Sequence, residues 1–209
     1  MGRGGHGGGF SGGGHSHNPD APEDDWNLYQ HIERCEVLNC TRAADGPGIF
    51  KPFAYRLEEE PCVKSDGDEE LLIKLSFSSP VHIRRIMIIG GGDEEYHPSH
   101  MKAYINRPEL DFSGVNDVDA VQEWDLSPNA TGEGYVVTRQ APFTNVTEVA
   151  FFITGNCGDI DETWLQYVGL QGDHTHDRRE AVNATYEAMG QLADHPSVPG
   201  EQGNRSMLG

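Results

Sequence analysis

The stretch LLIKLSFSSPVHIRRIMIIG, residues 71–90, decides the fold class. In its first seven residues apolar side chains recur at every second position, with Lys74 and Ser76 on the opposite face, which is the period of a half-buried strand. The residues 78–80, two serines and a proline, end this strand, and 82–89 is a second segment rich in β-branched residues that stops at a run of glycines. The stretch therefore predicts two consecutive strands separated by a turn.

Further short segments extend this pattern toward the C-terminus. They alternate apolar and polar residues or are rich in β-branched and aromatic residues, and Gly, Pro, Asn and Asp separate them. No long helical crossover follows any of them, so a parallel α/β fold is disfavoured. The chain is predicted to be an all-β antiparallel sandwich or barrel. The further segments are 101–106, 124–126, 135–138, 149–154 and 164–170.

The segments outside this strand-rich region have different predicted structures. Residues 1–20 are rich in Gly and His, which predicts a flexible tail, and 194–209 should be disordered as well. Leu28, Ile32 and Cys35 have the spacing of one helix face, which predicts a short N-terminal helix against the core. The composition of 178–192 fits a helix or a closing strand equally well.

The charge of the chain excludes several classes of function. There are 34 acidic and 15 basic residues, so the formal net charge is −19. Such a surface repels phosphate backbones and anionic lipid headgroups, so we expect no nucleic-acid partner and no membrane partner. No apolar run approaches the roughly 18 residues of a membrane span, and no signal-peptide pattern begins the chain. We therefore expect a protein of the cytoplasm, or of the cytoplasm and the nucleus, with four reduced cysteines.

Three sequence features resemble functional sites but fit structural roles better. Asp66, Asp68 and Glu70 have the start of a calcium-loop spacing without the glycine or final acid of such a loop, so they should cap a strand entrance. Gly90 to Gly92 lacks the lysine and helix of a phosphate loop and should be a flexible inter-strand loop. The three tryptophans could stack on a sugar, but core packing is the better interpretation for residues in apolar strands.

The candidate site residues follow the glycine run. Asp93, Glu94, Glu95, His97 and His100 occupy a predicted loop, where binding residues concentrate on a rigid scaffold. Two histidines three residues apart do not supply the three or four fixed ligands of a metal site, and Ser99 between them lacks a nucleophile elbow. We predict these five residues as partner contacts, with no catalytic residue, no metal and no cofactor.

Four motifs in order give the chain a family resemblance. Ser65 to Ile73 resembles the S-D-x-D-E-x-L-L-I segment of PITH domains, named from "proteasome-interacting thioredoxin". Residues 77–90 match the F-x-x-P-V strand pair of that family, and 97–108 resembles its loop, strand and N-x-P turn. Phe143 to Val146 resembles the F-x-N-V segment, and the run to Gly172 resembles the Y-x-G-x-x-G ending. The resemblance covers residues 21–193.

The resemblance implies a fold and a function. PITH domains are jelly-roll β-sandwiches similar to galactose-binding domains, and in thioredoxin-like members the domain tethers a redox domain to the 26S proteasome. This chain has no W-C-G-P-C motif, so it is similar to the stand-alone members and should lack disulfide reductase activity. We therefore predict a monomeric, non-catalytic interaction module with a protein partner, the 26S proteasome or a related complex. The alternative is a small-ligand or glycan-binding sandwich.

Overall fold

The computed structural model describes residues 25–175. Within this range the chain forms eight strands and four short 3-10 helices. The predicted tails and the ambiguous segment 178–192 lie outside the described residues. The strands are β1 Ile32–Leu38, β2 Val63–Lys64, β3 Leu71–Gly90, β4 Pro98–Ile105, β5 Gln122–Asp125, β6 Val136–Val137, β7 Val146–Asn156 and β8 Trp164–His174, and the 3-10 helices are Asn27–His31, Ala43–Ile49, Phe53–Tyr55 and Glu94–Tyr96.

The long strand β3 connects the two layers of the molecule. Its first half pairs with β1 and β7, and its second half pairs with β8 and β6. The two ladders meet at Val81, which faces Val146 of β7 and His174 of β8. The sequence predicted two strands here, and the structure corrects this to one strand that bends at residues 78–80. Pro80 is tolerated because the pairing with β7 is interrupted between Ser76 and Val81, where no ladder hydrogen bond is needed.

The remaining strands complete an antiparallel sandwich. One layer has the order β1, first half of β3, β7, β4 and β5, and the other has β6, second half of β3, β8 and β2. Every one of these pairings is antiparallel. The predicted all-β antiparallel sandwich is confirmed.

The core lies between the layers, and each layer is also covered on its outer face. Ile73, Ile83 and Phe151 belong to the central cluster and are fully buried. A second cluster forms where the connection after β4 packs on the outer face of one layer, and a third where Trp26 packs on the other. Because apolar residues point to both faces of β3, its pattern is more continuous than the alternation of a half-buried strand.

The predicted short N-terminal helix is present with Leu28 in the core, but its type and its extent differ from the prediction. A single 3-10 helix covers Asn27–His31, and Ile32 begins β1, so Ile32 and Cys35 lie on a strand. Cys35 pairs with Leu75 of β3. The helical spacing of three apolar residues is a local signal, and pairing with the edge of β3 overrides it. Among residues 25–175, no helix has the length and apolar character required to span a bilayer.

Candidate functional site

Three connecting segments meet at one end of the sandwich. Both ends of β3 lie here, because β7 finishes and β8 starts beside them. The backbone N–H of Ser65 donates to the Thr163 carbonyl at 3.0 Å, and the N–H of Gly158 donates to the Glu95 carbonyl at 2.9 Å. These bonds hold the three connections as one surface. We call it the loop end, and it comprises residues 57–70, 91–97 and 157–163.

The loop end is strongly and uniformly acidic. Its three segments contain thirteen acidic residues and one basic residue, Lys64. Ten of the acidic side chains are exposed, and within residues 25–175 none of the thirteen takes part in a salt bridge. Partial burial, and then the neighbouring carboxylates of Asp68 and Glu69, raise the pKa of Glu70. The surface therefore presents negative charge that no salt bridge within residues 25–175 pairs. A cation from outside the three segments, the Lys51 ammonium, donates to the Glu58 and Glu60 carbonyls at 2.9 and 3.4 Å.

Asp93, Glu94 and Glu95 lie on this surface. Asp93 precedes the 3-10 helix Glu94–Tyr96, and all three carboxylates are exposed. The Tyr96 N–H donates to the Asp93 carbonyl at 3.0 Å, which closes the turn that displays them. The structure thus places three of the five predicted contacts where a partner can reach them.

His97 lies inside the molecule instead. Its side chain is 1% exposed, and a Cβ on Gly90 would lie 2.3 Å from its ring carbons. Burial lowers the pKa of His97, although the Gly92 carbonyl and Glu94 oppose that shift. Neither ring nitrogen makes a well-aligned hydrogen bond within the described residues. His97 therefore supports the loop from inside the molecule, against Gly90, and does not reach a partner in this conformation.

His100 belongs to a different part of the surface. It lies on β4, and its Nδ1 is 3.0 Å from an Asp125 carboxylate oxygen while its Nε2 is 3.4 Å from a Glu123 oxygen. Both acids belong to the edge strand β5. The structure does not bring His100 and His97 together, and it shows no cluster of three or more metal-ligating side chains in residues 25–175.

Of the three acidic residues predicted to cap the entrance of β3, Asp68 does so through its carboxylate. Asp68 accepts hydrogen bonds from the Asn39 side-chain amide and from the Glu70 N–H at 3.1 Å. The same Asn39 amide donates to the Glu70 carbonyl at 2.8 Å. These bonds tie the entrance of β3 to the end of β1, so this part of the loop end has a defined shape.

The glycine run is packed rather than loose. Gly90 ends β3 and lies against His97, and a Cβ on Gly91 would lie 2.6 Å from the Cys62 sulfur. Gly92 has φ of 65° and leaves no room for a side chain, because a Cβ there would lie 2.7 Å from the Trp164 ring. The expectation of a simple flexible loop missed these contacts, which join residues far apart in the sequence.

The three tryptophans differ in their surroundings. Trp124 packs against the central core, as the sequence predicted for tryptophans in apolar strands, and Trp26 is buried as well. Trp164 is half-buried at the loop end, where the Tyr96 ring stacks on it at 4.5 Å and the Lys64 ammonium lies 3.3 Å from its ring centre. Sequence reasoning missed this arrangement, although the position of Trp164 at the start of its strand was a signal for it.

A cleft of about 430 Å³ opens beside Trp164. Leu57 and Trp164 give it apolar walls, and Glu59, Glu60 and Asp93 give it carboxylates. Cys62 also lines it, but burial, the largest cause, raises the pKa of this thiol to about 11. A thiol with so little thiolate at neutral pH is a poor nucleophile.

Comparisons with known proteins give one consistent result. A model of the PITH domain matches residues 18–190. The chain is 37% identical over 173 residues to PITH domain-containing protein 1 of Homo sapiens, which covers 81% of each chain. It is 34% identical over 184 residues to the protein of that name from Dictyostelium discoideum, which covers 88% of this chain and 90% of the relative.

Solved structures give the fold alone, and they confirm the predicted jelly-roll sandwich similar to galactose-binding domains. The structure of CpGH89CBM32-5 from Clostridium perfringens, in complex with GalNAc-beta-1,3-galactose, superposes with a TM-score of 0.50 and 8% identity. It covers 69% of this chain and 98% of that chain. The CBM32-1 and CBM32-2 domains of Clostridium perfringens ZmpB, in complex with GalNAc, give a TM-score of 0.50 and 10% identity, over 70% of this chain and 35% of that chain.

Proposed function

The chain belongs to the PITH domain family, and on this basis we propose that it is a non-catalytic interaction module whose acidic loop end binds a basic surface of a protein partner. The observation that carries the proposal is the unpaired charge of the loop end. Ten exposed carboxylates crowd a surface with one lysine, and they repel one another at a cost to the folded state. A basic partner would relieve that repulsion, and the attraction would speed association.

The 26S proteasome is the partner that we propose first. The support is the family relationship, together with the exposed carboxylates of the loop end, which could pair with a basic surface of such a particle. We further propose that the chain acts as a monomer in the cytoplasm or the nucleus. These proposals concern the full chain, including the tails outside the described residues.

Capture of intact 26S particles by the immobilised full chain tests this partner. We expect recovery at 0.05 M salt and a large loss at 0.5 M, where the screening length is on the order of 4 Å. An unrelated protein of similar net charge is the control. Equal recovery by the two proteins at low salt would overturn the proteasome assignment.

The alternative is a small-ligand or glycan-binding domain. Its support is that the fold is similar to that of carbohydrate-binding domains. The similarity concerns the fold and not the binding residues. Tyr96 and Lys64 cover Trp164, so this ring does not offer a sugar an open stacking platform. Titration of a sugar panel against tryptophan fluorescence tests the alternative, because a saturable change with one sugar would favour it over the acidic-surface proposal.

A further inference from the structure

The Trp164 ring holds a cation on one of its faces. The Tyr96 ring centre is 4.5 Å from the Trp164 ring centre with an interplanar angle of 24°, which is a stacked pair. The Lys64 ammonium is 3.3 Å from the Trp164 ring centre. A ring and an ammonium at these distances cannot share one face, so Tyr96 and Lys64 lie on opposite faces. An ammonium over an indole face is a favourable cation–π contact.

Lys64 takes this position although carboxylates surround it. It is the one basic residue of the loop end, yet it forms no salt bridge in the part of the chain that the structure describes. Lys64 lies directly across from Trp164 in the β2–β8 ladder, which brings its flexible stem over the ring. The ring face is therefore a cation-binding surface that a mobile side chain of the same protein occupies.

Other groups pack closely around the Trp164 ring. Gly92 fits against one edge of the Trp164 ring, where a Cβ would lie 2.7 Å from it. Tyr96 backs the opposite face, and the Gly91 N–H donates to the Trp164 carbonyl at 3.2 Å. Lys64 has a flexible four-carbon stem, so its ammonium can leave the ring face without moving the backbone.

We propose that an arginine side chain of a basic partner segment enters the 430 Å³ cleft, stacks on Trp164 in place of Lys64 and binds the cleft carboxylates. The proposal rests on the proposed function, since it specifies how the acidic loop end recognises a basic partner. Arginine fits better than lysine because its planar guanidinium stacks on an aromatic face and can bind a carboxylate through two parallel hydrogen bonds. Glu59, Glu60 and Asp93 line the cleft and would be those partners.

Two charge-matched lysine variants test the displacement of Lys64. The probe is an acetylated, amidated peptide of four arginines, titrated into the full chain by calorimetry at low salt. Lys64→Met removes the competing ammonium, whereas Lys74→Met removes an equal charge from a lysine that donates to the Pro108 carbonyl elsewhere. We expect Lys64→Met to bind the peptide about two- to tenfold tighter than Lys74→Met, in the range of one cation–π contact. Equal affinities of the two variants would overturn the inference.

Variants of the ring give a second readout. Trp164→Leu should weaken binding of the arginine peptide by about two- to tenfold, and Trp164→Phe should recover part of the loss because a smaller aromatic face remains. A tetra-lysine peptide should respond less to both variants. If the wild type binds the arginine peptide in a salt-sensitive way but is indifferent to Trp164 and Lys64, this inference fails and the acidic-surface proposal stands. If the wild type binds neither peptide, the proposal of a basic partner fails with it.

Discussion

The two ends of the sandwich differ in whether their acidic side chains form salt bridges. The end at which β3 bends, which we call the bend end, comprises residues 78–82, 106–109, 143–147 and 172–175. Its segments hold two acidic residues, and both are paired: Glu109 lies 3.5 Å from Arg107, and Asp173 pairs with Arg84. The loop end holds thirteen acidic residues, none of them in a salt bridge within residues 25–175. The same fold thus neutralises its charge at one end and accumulates it at the other, which suits a scaffold at one end and a binding surface at the other.

The largest effect on stability should come from the core between the two layers, which supports both ends. Phe151 lies on β7 between β3 and β4 and is fully buried, so Phe151→Ala should lower the free energy of unfolding by about 3–5 kcal/mol. Urea unfolding monitored by circular dichroism measures this change. Thr147→Ala, at an exposed position of the same strand, provides a surface comparison. A loss below about 1 kcal/mol for Phe151→Ala would contradict the placement of the core.

The packing beneath the loop end should show the next effect. A methyl group on Gly90 would meet the buried His97 ring, so Gly90→Ala should lower the free energy of unfolding by about 1–3 kcal/mol. Gly134→Ala is the matched control, because a methyl group there has ordinary contacts with Asn129. Chemical denaturation of the two variants compares them directly. Equal stabilities would mean that the glycine run is loose, as the sequence alone suggested.

The sequence predicted the strands of the sandwich far better than the structure of the loop end. Alternating apolar residues act locally, so each half of β3 could be found from residues 71–90 alone. The continuity of β3 through Pro80 could not, because it depends on pairing with strands more than sixty residues away. The extent of the N-terminal helix was predicted wrongly for the same reason. The helical spacing of Leu28, Ile32 and Cys35 carries no information about pairing between β1 and the edge of β3.

At the candidate site, the sequence predicted the exposed acidic side chains but not the tertiary contacts beneath them. The exposure of Asp93, Glu94 and Glu95 follows from their polarity and their place in a loop. The burial of His97 under Gly90, and the contact of Gly92 with Trp164, are tertiary contacts without a sequence period. Polar composition therefore located the surface, and only the structure could separate the residues that face outward from those that support them.

The buried histidine should make the loop end sensitive to acid. Burial, the largest cause, lowers the pKa of His97 below its ordinary value, so the unfolded chain binds more protons as the pH falls through the unfolded value. The His97 contribution is then intact above the unfolded pKa near 6.5 and is lost progressively below it. Urea unfolding from pH 7.5 to 5 should show a steeper loss of stability for the wild type than for His97→Gln. Parallel pH profiles would contradict the account of His97.

The smallest effect concerns repulsion within the loop end. Asp93→Asn, Glu94→Gln and Glu95→Gln together remove three crowded charges, so the triple variant should be more stable at low salt by roughly 0.5 kcal/mol or less. Glu109→Gln removes a paired charge at the bend end and should not stabilise the fold. Thermal unfolding at 0.02 M and 0.5 M salt compares the two variants. Stabilisation of both variants to the same extent would mean that acidic side chains are equally well compensated by positive charge at the two ends.

The most direct test of the central claim, that the uncompensated charge of the loop end is a partner surface, compares two triple variants in the capture of 26S particles. One is the loop-end triple at residues 93–95, and the other is Glu109→Gln, Asp117→Asn and Asp119→Asn, three exposed acids on the connection between β4 and β5. Both change the net charge equally. We predict about tenfold lower recovery for the loop-end triple, which is about 1.4 kcal/mol, and unchanged recovery for the other. Equal recovery by the two variants would contradict the claim.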